Sequence, residues 1–212
     1  MTISVIGISG SPRRHGNTET LLDRFLAGAA DEGADVEKVV IRGMNYRSCQ
    51  GCNACHKTGV CVLKDDFTPL FERILETDVI ALSSPIYSMG ITAELKALID
   101  RAQVFWARKF LLKNLYFDYD HIKSHKGVFL STAGQNWDHV FDGAYPVVTA
   151  FFNDLGFEYW DNVIANNMDA YGGIRGHPTA LDEAYEKGGK VVRSVAHLRD
   201  ASENQARVDR TE

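Results

Sequence analysis

Short apolar runs alternate with stretches of helical periodicity along the whole chain, and this alternation limits the possible folds more than any other feature. "ISVIGIS" (residues 3–9) is a continuous β-branched run, the pattern of a strand buried on both faces. Four more runs follow: "DVEKVVI" (35–41), "DVIALSSP" (78–85), "KGVFLST" (126–132) and "FEYWDNVIAN" (157–166). A helix separates each from the next. In the first, Leu21, Leu22, Phe25, Leu26, Ala29 and Ala30 form one stripe, with Asn17 expected as N-cap and Gly33 as the stop. Further helices are expected over 66–76, 91–106, 138–156 and 179–198, and the polar tail from Asp200 is expected to fray. Strands separated by helices need crossover connections, hence a parallel sheet with helices on both faces. Five such units predict an α/β doubly wound, five-stranded sheet in the order 2-1-3-4-5. With no internal repeat or linker, the 212 residues are expected to form a single domain over 1–199, followed by a tail at 200–212.

Two stretches break this rhythm. Residues 108–125, "RKFLLKNLYFDYDHIKSH", make an aromatic-rich connection of a length that is usually functional or interfacial. Residues 166–178, "NNMDAYGGIRGHP", are Gly-rich and offer a further ligand or partner surface.

Composition narrows the function classes. A net charge of −5 with no dense run of Lys or Arg argues against a nucleic-acid or anionic-membrane surface, while leaving room for a local anion pocket. The N-terminus "MTISVIGISG" lacks a basic leader, and no segment approaches the roughly 20 apolar residues of a membrane span. A cytoplasmic protein is expected, and in that compartment thiols stay reduced.

In a doubly wound sheet, ligands bind at the carboxyl ends of the strands near the point where strand order reverses. The first such loop reads "SGSPRRHGNT". Ser9, Ser11 and Thr18 offer hydroxyls and Arg13 a bidentate charge, while Gly10 and Gly16 let backbone N–H groups approach an anion. The next helix aims its positive end at the same point. The pattern is neither G-x-G-x-x-G nor G-x-x-x-x-G-K-[ST], and suits a single terminal phosphate. The third strand ends in "SSPIYSMG", where Pro85 fixes the backbone, Tyr87 and Met89 supply flat or polarizable surface, and Gly90 permits close approach. The fourth ends in "STAGQNW", small residues followed by an amide pair and Trp137. Either aromatic alone reads as ordinary packing. Together the three loops suit a ligand with one phosphate and a planar ring, which points to flavin mononucleotide (FMN).

All four cysteines lie within "CQGCNACHKTGVC", spaced C-x2-C-x2-C-x5-C. Zinc sites usually bring two C-x2-C knuckles about 12–20 residues apart. Three cysteines at i, i+3 and i+6 are instead like the compact run that wraps a cubane cluster. A reduced loop without metal, a single reactive thiol beside the flavin, and zinc or disulfides stay open as alternatives. His56 is expected at the surface, not as a ligand.

"GISGSPRRHGNT", "SSPIYSMGITAELKALIDR" and the cysteine loop followed by "LKDDF" together resemble the NADPH-dependent FMN reductase superfamily, and within it the iron–sulfur flavoproteins. The likeness covers about residues 1–165. It implies a flavodoxin-like fold, with Ser9, Ser11, Pro12, Arg13, Asn17 and Thr18 at the FMN phosphate. Pro85, Ile86, Tyr87, Ser88, Met89 and Gly90, with Ser131, Thr132, Ala133 and Gly134, would surround the ring. It also implies that Cys49, Cys52, Cys55 and Cys61 ligate one [4Fe–4S] cluster, and that the protein is a homodimer or homotetramer. No catalytic acid or base is expected from the side chains, since the cofactor carries the chemistry.

Three functions fit these readings. The first couples two-electron flavin chemistry to one-electron transfer through the cluster, with NAD(P)H or a ferredoxin as donor. The second is an NAD(P)H-dependent FMN or quinone reductase with a purely structural cysteine loop. The third is a non-enzymatic electron carrier or redox sensor, which would show negligible turnover with NADH or NADPH.

Overall fold

The computed structural model describes residues 2–208, with side chains up to Ala201. Five parallel strands lie in the order β2-β1-β3-β4-β5: β1 Ser4–Ser9, β2 Asp35–Val40, β3 Val79–Pro85, β4 Lys126–Thr132 and β5 Glu158–Ala165. This is the expected flavodoxin-like topology. One irregularity, between Gly127 and Val128, shifts the β4–β5 register. Strand order reverses between β1 and β3, where Ser9 pairs with Ser83 at the carboxyl edge.

Because successive strand side chains face opposite ways, each strand feeds two cores. Ile6, Ile8, Ile80, Leu82 and Phe129 pack under α3 (Phe67–Glu76), α4 (Ala93–Arg101) and α7 (Tyr145–Leu155). Val5, Val79, Ala81, Val128 and Leu130 pack under α1 (Asn17–Asp31) and the terminal helix α8 (Ala180–Val208). Both faces are therefore covered, as the unbroken apolar runs require.

Helices α1 and α8 meet through glycine. A Cβ on Gly28 would lie 2.0 Å from the Tyr185 carbonyl oxygen, and one on Gly188 would lie 2.0 Å from that of Phe25. Neither obstacle is a side chain that can swing away. Gly28→Ala is expected to force the pair apart and cost about 1–3 kcal/mol, the range for overpacked cores. A denaturant midpoint equal to wild type would refute this close packing.

Several element boundaries differ from the sequence expectation. The helix expected over 91–106 breaks at Ala102 into α4 and α5 (Gln103–Trp106), and a π-helical turn, Ala107–Leu111, continues it. Packing of Phe105 against Phe71 of α3, with Val104 in the same core, outweighs the uniform helical pattern. The stretch expected as helix over 138–156 is a 3-10 turn, Asp138–Phe141, and then α7, with Pro146 in its first turn. Proline lacks an N–H and suits only that position. The connection at 108–125 contains a short helix, α6 (Tyr119–Ser124), started by Asp118, whose carboxylate accepts from the His121 N–H at 2.7 Å. At the other end, α8 is helical as far as Val208, and "ASENQAR" has neither Gly nor Pro and contains good helix formers.

Candidate functional site

The loop after β1 is clamped before it reaches the helix. The Gly10 N–H donates to the Ser83 carbonyl at 2.8 Å, and the Thr92 hydroxyl donates to the Gly10 carbonyl at 2.6 Å while capping α4. A side chain at Gly10 would strike Leu95 at 2.7 Å, so glycine is needed for this approach. Thr18 Oγ1 and Thr132 Oγ1 lie 2.5 Å apart, tying the start of α1 to the end of β4. Asn17 does not cap α1; Gly16 holds the N-cap position, and Asn17 Oδ1 accepts from the Ile174 N–H at 3.0 Å. That bond brings the Gly-rich 166–178 segment over the site, a contact that local pattern cannot show.

Below the loop, Glu19 is buried and accepts from the His15 N–H at 3.1 Å and from Lys38 at 2.9 Å. Arg42, just after β2, donates to the Ser11 carbonyl at 3.2 Å and reaches Glu19 at 3.4 Å. Burial pushes the Glu19 carboxyl up, but Lys38, the His15 N–H and Arg42 outweigh it, so Glu19 sits below the usual carboxylate range. Neither Glu19 nor Arg42 was expected at the site. A Glu three residues after an N-cap glycine is the local signal that points to the first; Arg42 has none.

Ser11, Arg13, Asn17, Thr18, Pro85, Ile86, Tyr87, Thr132, Ala133 and Gly134 line one cavity of about 200 Å³, together with Gly16, Met168 and Asp169. Most of the expected residues are thus brought together at the carboxyl edge. Ser9, Pro12, Ser88, Met89, Gly90 and Ser131 do not line it. Ser9 Oγ is buried at the strand end without a partner, and Ser131 Oγ is spent on the Ser84 carbonyl at 2.7 Å. Ser88 and Met89 form a tight turn, with φ of 48° and 67°, closed by paired Tyr87–Gly90 hydrogen bonds of 2.9 and 3.0 Å. Two non-glycine residues at positive φ store strain, and such turns concentrate at functional sites. The turn presents Tyr87 to the cavity.

The cysteine loop leaves the sheet after β2. Its base is closed by the "LKDDF" segment and α4: Asp66 accepts from the Asn45 N–H at 2.7 Å, and Asp65 accepts from the Arg47 N–H at 3.1 Å. Arg101 completes the closure with a two-pronged salt bridge to Asp65, at 2.6 and 3.1 Å. A single helical turn, α2 (Cys55–Thr58), ends at Gly59 with φ 70°. Cys49, Cys52, Cys55 and Cys61 are all free thiols and all line one cavity. Burial pushes the Cys55 thiol up, and the other three sulfurs push it further. Among the described residues, no three His, Cys, Asp or Glu groups converge closely enough to hold a single metal ion. His56 is half-buried, 3.4 Å from Gln103 and beside Trp106, and does not itself line that cavity.

Residues 3–136 match the family of NADPH-dependent FMN reductases. The chain belongs to that family. Within it the chain is close to the iron–sulfur flavoproteins: one from Methanocaldococcus jannaschii is 41% identical over 101 residues, 48% of this chain and 52% of that protein. Another, from Archaeoglobus fulgidus, is 28% identical over 169 residues, covering 74% and 82% of the two chains. The chain spans about half the length of two of the curated relatives it matches. Among solved structures, a flavone reductase superposes with a TM-score of 0.67 at 19% identity, over 93% of this chain and 64% of that one. An NAD(P)H:quinone oxidoreductase from Methanothermobacter marburgensis gives 0.61 at 18%, over 92% and 96%. These two likenesses speak for the fold.

The family's cofactor, FMN, fits what is present. The loop offers hydroxyls, the positive end of a 15-residue helix, and an Arg13 guanidinium with no hydrogen bond or ion pair among the described residues. Gly134 lets Asp169 close against the cavity wall, for a Cβ there would lie 2.6 Å from Asp169 Oδ2. Asp169 and Met168 were legible only as part of a Gly-rich stretch.

Proposed function

We propose that the chain is an FMN-dependent oxidoreductase in which Cys49, Cys52, Cys55 and Cys61 ligate a [4Fe–4S] cluster. The observation that carries the flavin half is the cavity at the β1/β3 switch point, built by one phosphate-sized loop and two ring-sized ones. When bound, FMN takes electrons in pairs and the cluster exchanges them singly. Ser11, Thr18, Arg13 and the α1 N-terminus hold the phosphate. Ile86, Tyr87 and Met168 supply apolar walls, while Ala133 and Gly134 bring backbone close to the ring. Arg42 and Glu19 position the loop from beneath.

For the cluster, support comes from four soft thiolate donors on one cavity wall and from the names of the relatives. Donors spread over a wall suit a polynuclear cluster, in which each thiolate binds a different iron, better than tetrahedral zinc with its Zn–S bonds of about 2.3 Å. The same lack of convergence favours a second reading, a reductase with a structural cysteine loop. Iron and sulfide content after anaerobic preparation separates the two. We assign NAD(P)H or a ferredoxin as donor; stopped-flow reduction by each identifies it.

Protein purified with its cofactor is expected to release FMN, not FAD, because a single phosphate-sized loop exists. Arg13→Ala is expected to weaken FMN by about 1.5–3 kcal/mol, the worth of a hydrogen bond to a charged group, or roughly ten- to hundredfold in Kd. Released FAD, or an unchanged Kd, would overturn these assignments. We also propose a homo-oligomer, because Phe110, Tyr116 and Tyr119 are 51%, 85% and 72% exposed on one connection. Light scattering at monomer mass would refute it.

A further inference from the structure

One buried cation lines the cysteine cavity, and its hydrogen bonds leave one donor over. Arg101 is 2% exposed. Its guanidinium carries five N–H donors in a fixed fork. Nη1 donates to the Arg47 carbonyl at 2.9 Å and to Asp65 at 2.6 Å. Nη2 donates to the Leu63 carbonyl at 3.4 Å and to Asp65 at 3.1 Å. Those four contacts lock the plane of the group and close the base of the loop. The fifth donor, Nε–H, is buried with no hydrogen-bond partner among the described residues. Buried donors in folded proteins are nearly always paired, and an orphan calls for an explanation.

The neighbourhood supplies one. Arg101 shares its cavity with Cys49, Cys52, Cys55 and Cys61. Cys61 stands beside the guanidinium as a neighbouring side chain that can accept from it. The guanidinium also lies over the Phe67 ring, 5.7 Å from Arg101 Cζ, which offers no lone-pair acceptor.

Resting on the cluster reading above, we infer that Arg101 Nε–H donates a hydrogen bond to a sulfur of the bound cluster, a cluster sulfide or the Cys61 thiolate, and thereby raises its reduction potential. A donor to sulfur stabilises the more negative, reduced state more than the oxidised one. The Asp65 carboxylate offsets most of the guanidinium charge, so the bond, more than the net charge, sets the shift. Arg101 is thus a positioning and tuning residue, and the flavin cavity is untouched by it, since no residue lines both cavities.

The test uses the full chain, prepared anaerobically and reconstituted with iron and sulfide, and Arg101→Lys, which keeps a cation for Asp65 and removes Nε. Both proteins are expected to hold FMN and iron. In the variant the equilibrium for cluster reduction is expected to fall about tenfold, or about 59 mV for a one-electron couple, in a titration followed by electron paramagnetic resonance. In wild-type protein grown on arginine with a ¹⁵N-labelled guanidino group, pulsed spectra of the reduced cluster are expected to show a nitrogen coupling that Arg101→Lys loses. This second measurement decides the matter alone if the variant does not fold. A loaded wild type without that coupling, or an unchanged potential in a loaded variant, overturns the inference and leaves the cluster reading standing. A wild type that takes up no iron overturns both.

Discussion

Cys52→Ser or Cys55→Ser is expected to bring iron from about four atoms per chain, the complement of a four-cysteine cubane, to near zero while FMN stays bound. Serine keeps the shape of the side chain but replaces a soft thiolate with a hydroxyl that binds iron poorly. Selectivity follows from architecture. The four thiols line a cavity on the loop after β2, whereas the flavin cavity is assembled from the ends of β1, β3 and β4, and no residue lines both. One-electron transfer to an outside acceptor is expected to fail with the cluster gone, while hydride reduction of the flavin survives. Iron analysis, flavin absorbance and single-turnover reduction check the three parts. Loss of FMN along with the iron would show that the loop supports the flavin pocket after all. A reconstituted wild type without iron, and with electron transfer indifferent to the substitution, would leave a flavin reductase with a structural loop.

The second large effect falls on stability. Asp65→Ala is expected to cost about 3–5 kcal/mol, since removing one partner leaves a buried charge without compensation. The side chains of Arg101 and Asp65 are 1% and 9% exposed, so little water can replace the carboxylate. The same carboxylate also accepts from the Arg47 and Phe67 N–H groups, so both ends of the cysteine loop loosen together. At this chain length the loss corresponds to roughly 6–20 °C in Tm. Burial pushes the Asp65 carboxyl up, but the Arg101 salt bridge and the two N–H groups outweigh it, and the group sits below its ordinary value of 3.8. A depressed carboxylate contributes fully above its unfolded pKa and loses that contribution as pH falls through the folded one. Wild-type stability is therefore expected to drop below about pH 4 by a step that Asp65→Ala lacks. Parallel acid profiles for the two proteins, or a Tm within 2 °C of wild type by the same scaling, would show that the pair is dispensable.

How far could the residues alone have carried this picture? Strand order and the two-faced core follow from period. Uninterrupted runs such as "ISVIGIS" and "DVIALSSP" have to be covered on both sides, and helices between parallel strands leave few topologies. The loop proposed for the phosphate was readable as a candidate for the same kind of reason: Gly, Ser and Arg chemistry is local, and the switch-point rule says where such a loop must lie. The four cysteines announced themselves by spacing. What local pattern could not carry was anything decided by contacts distant in sequence. Asn17 reads as an N-cap, but its side chain is captured by Ile174, 157 residues away, which delivers Met168 and Asp169 to the cavity. Ser131 reads as a ligand group, but the carbonyl on the neighbouring strand claims its hydroxyl. Arg101 and Asp65 look like ordinary members of charged stretches. Only the packing of α4 against the loop buries both, places Arg101 on the cavity that the cysteines line, and leaves its Nε without a partner among the described residues, because burial and hydrogen-bond satisfaction are properties of the assembled chain and not of any segment of it.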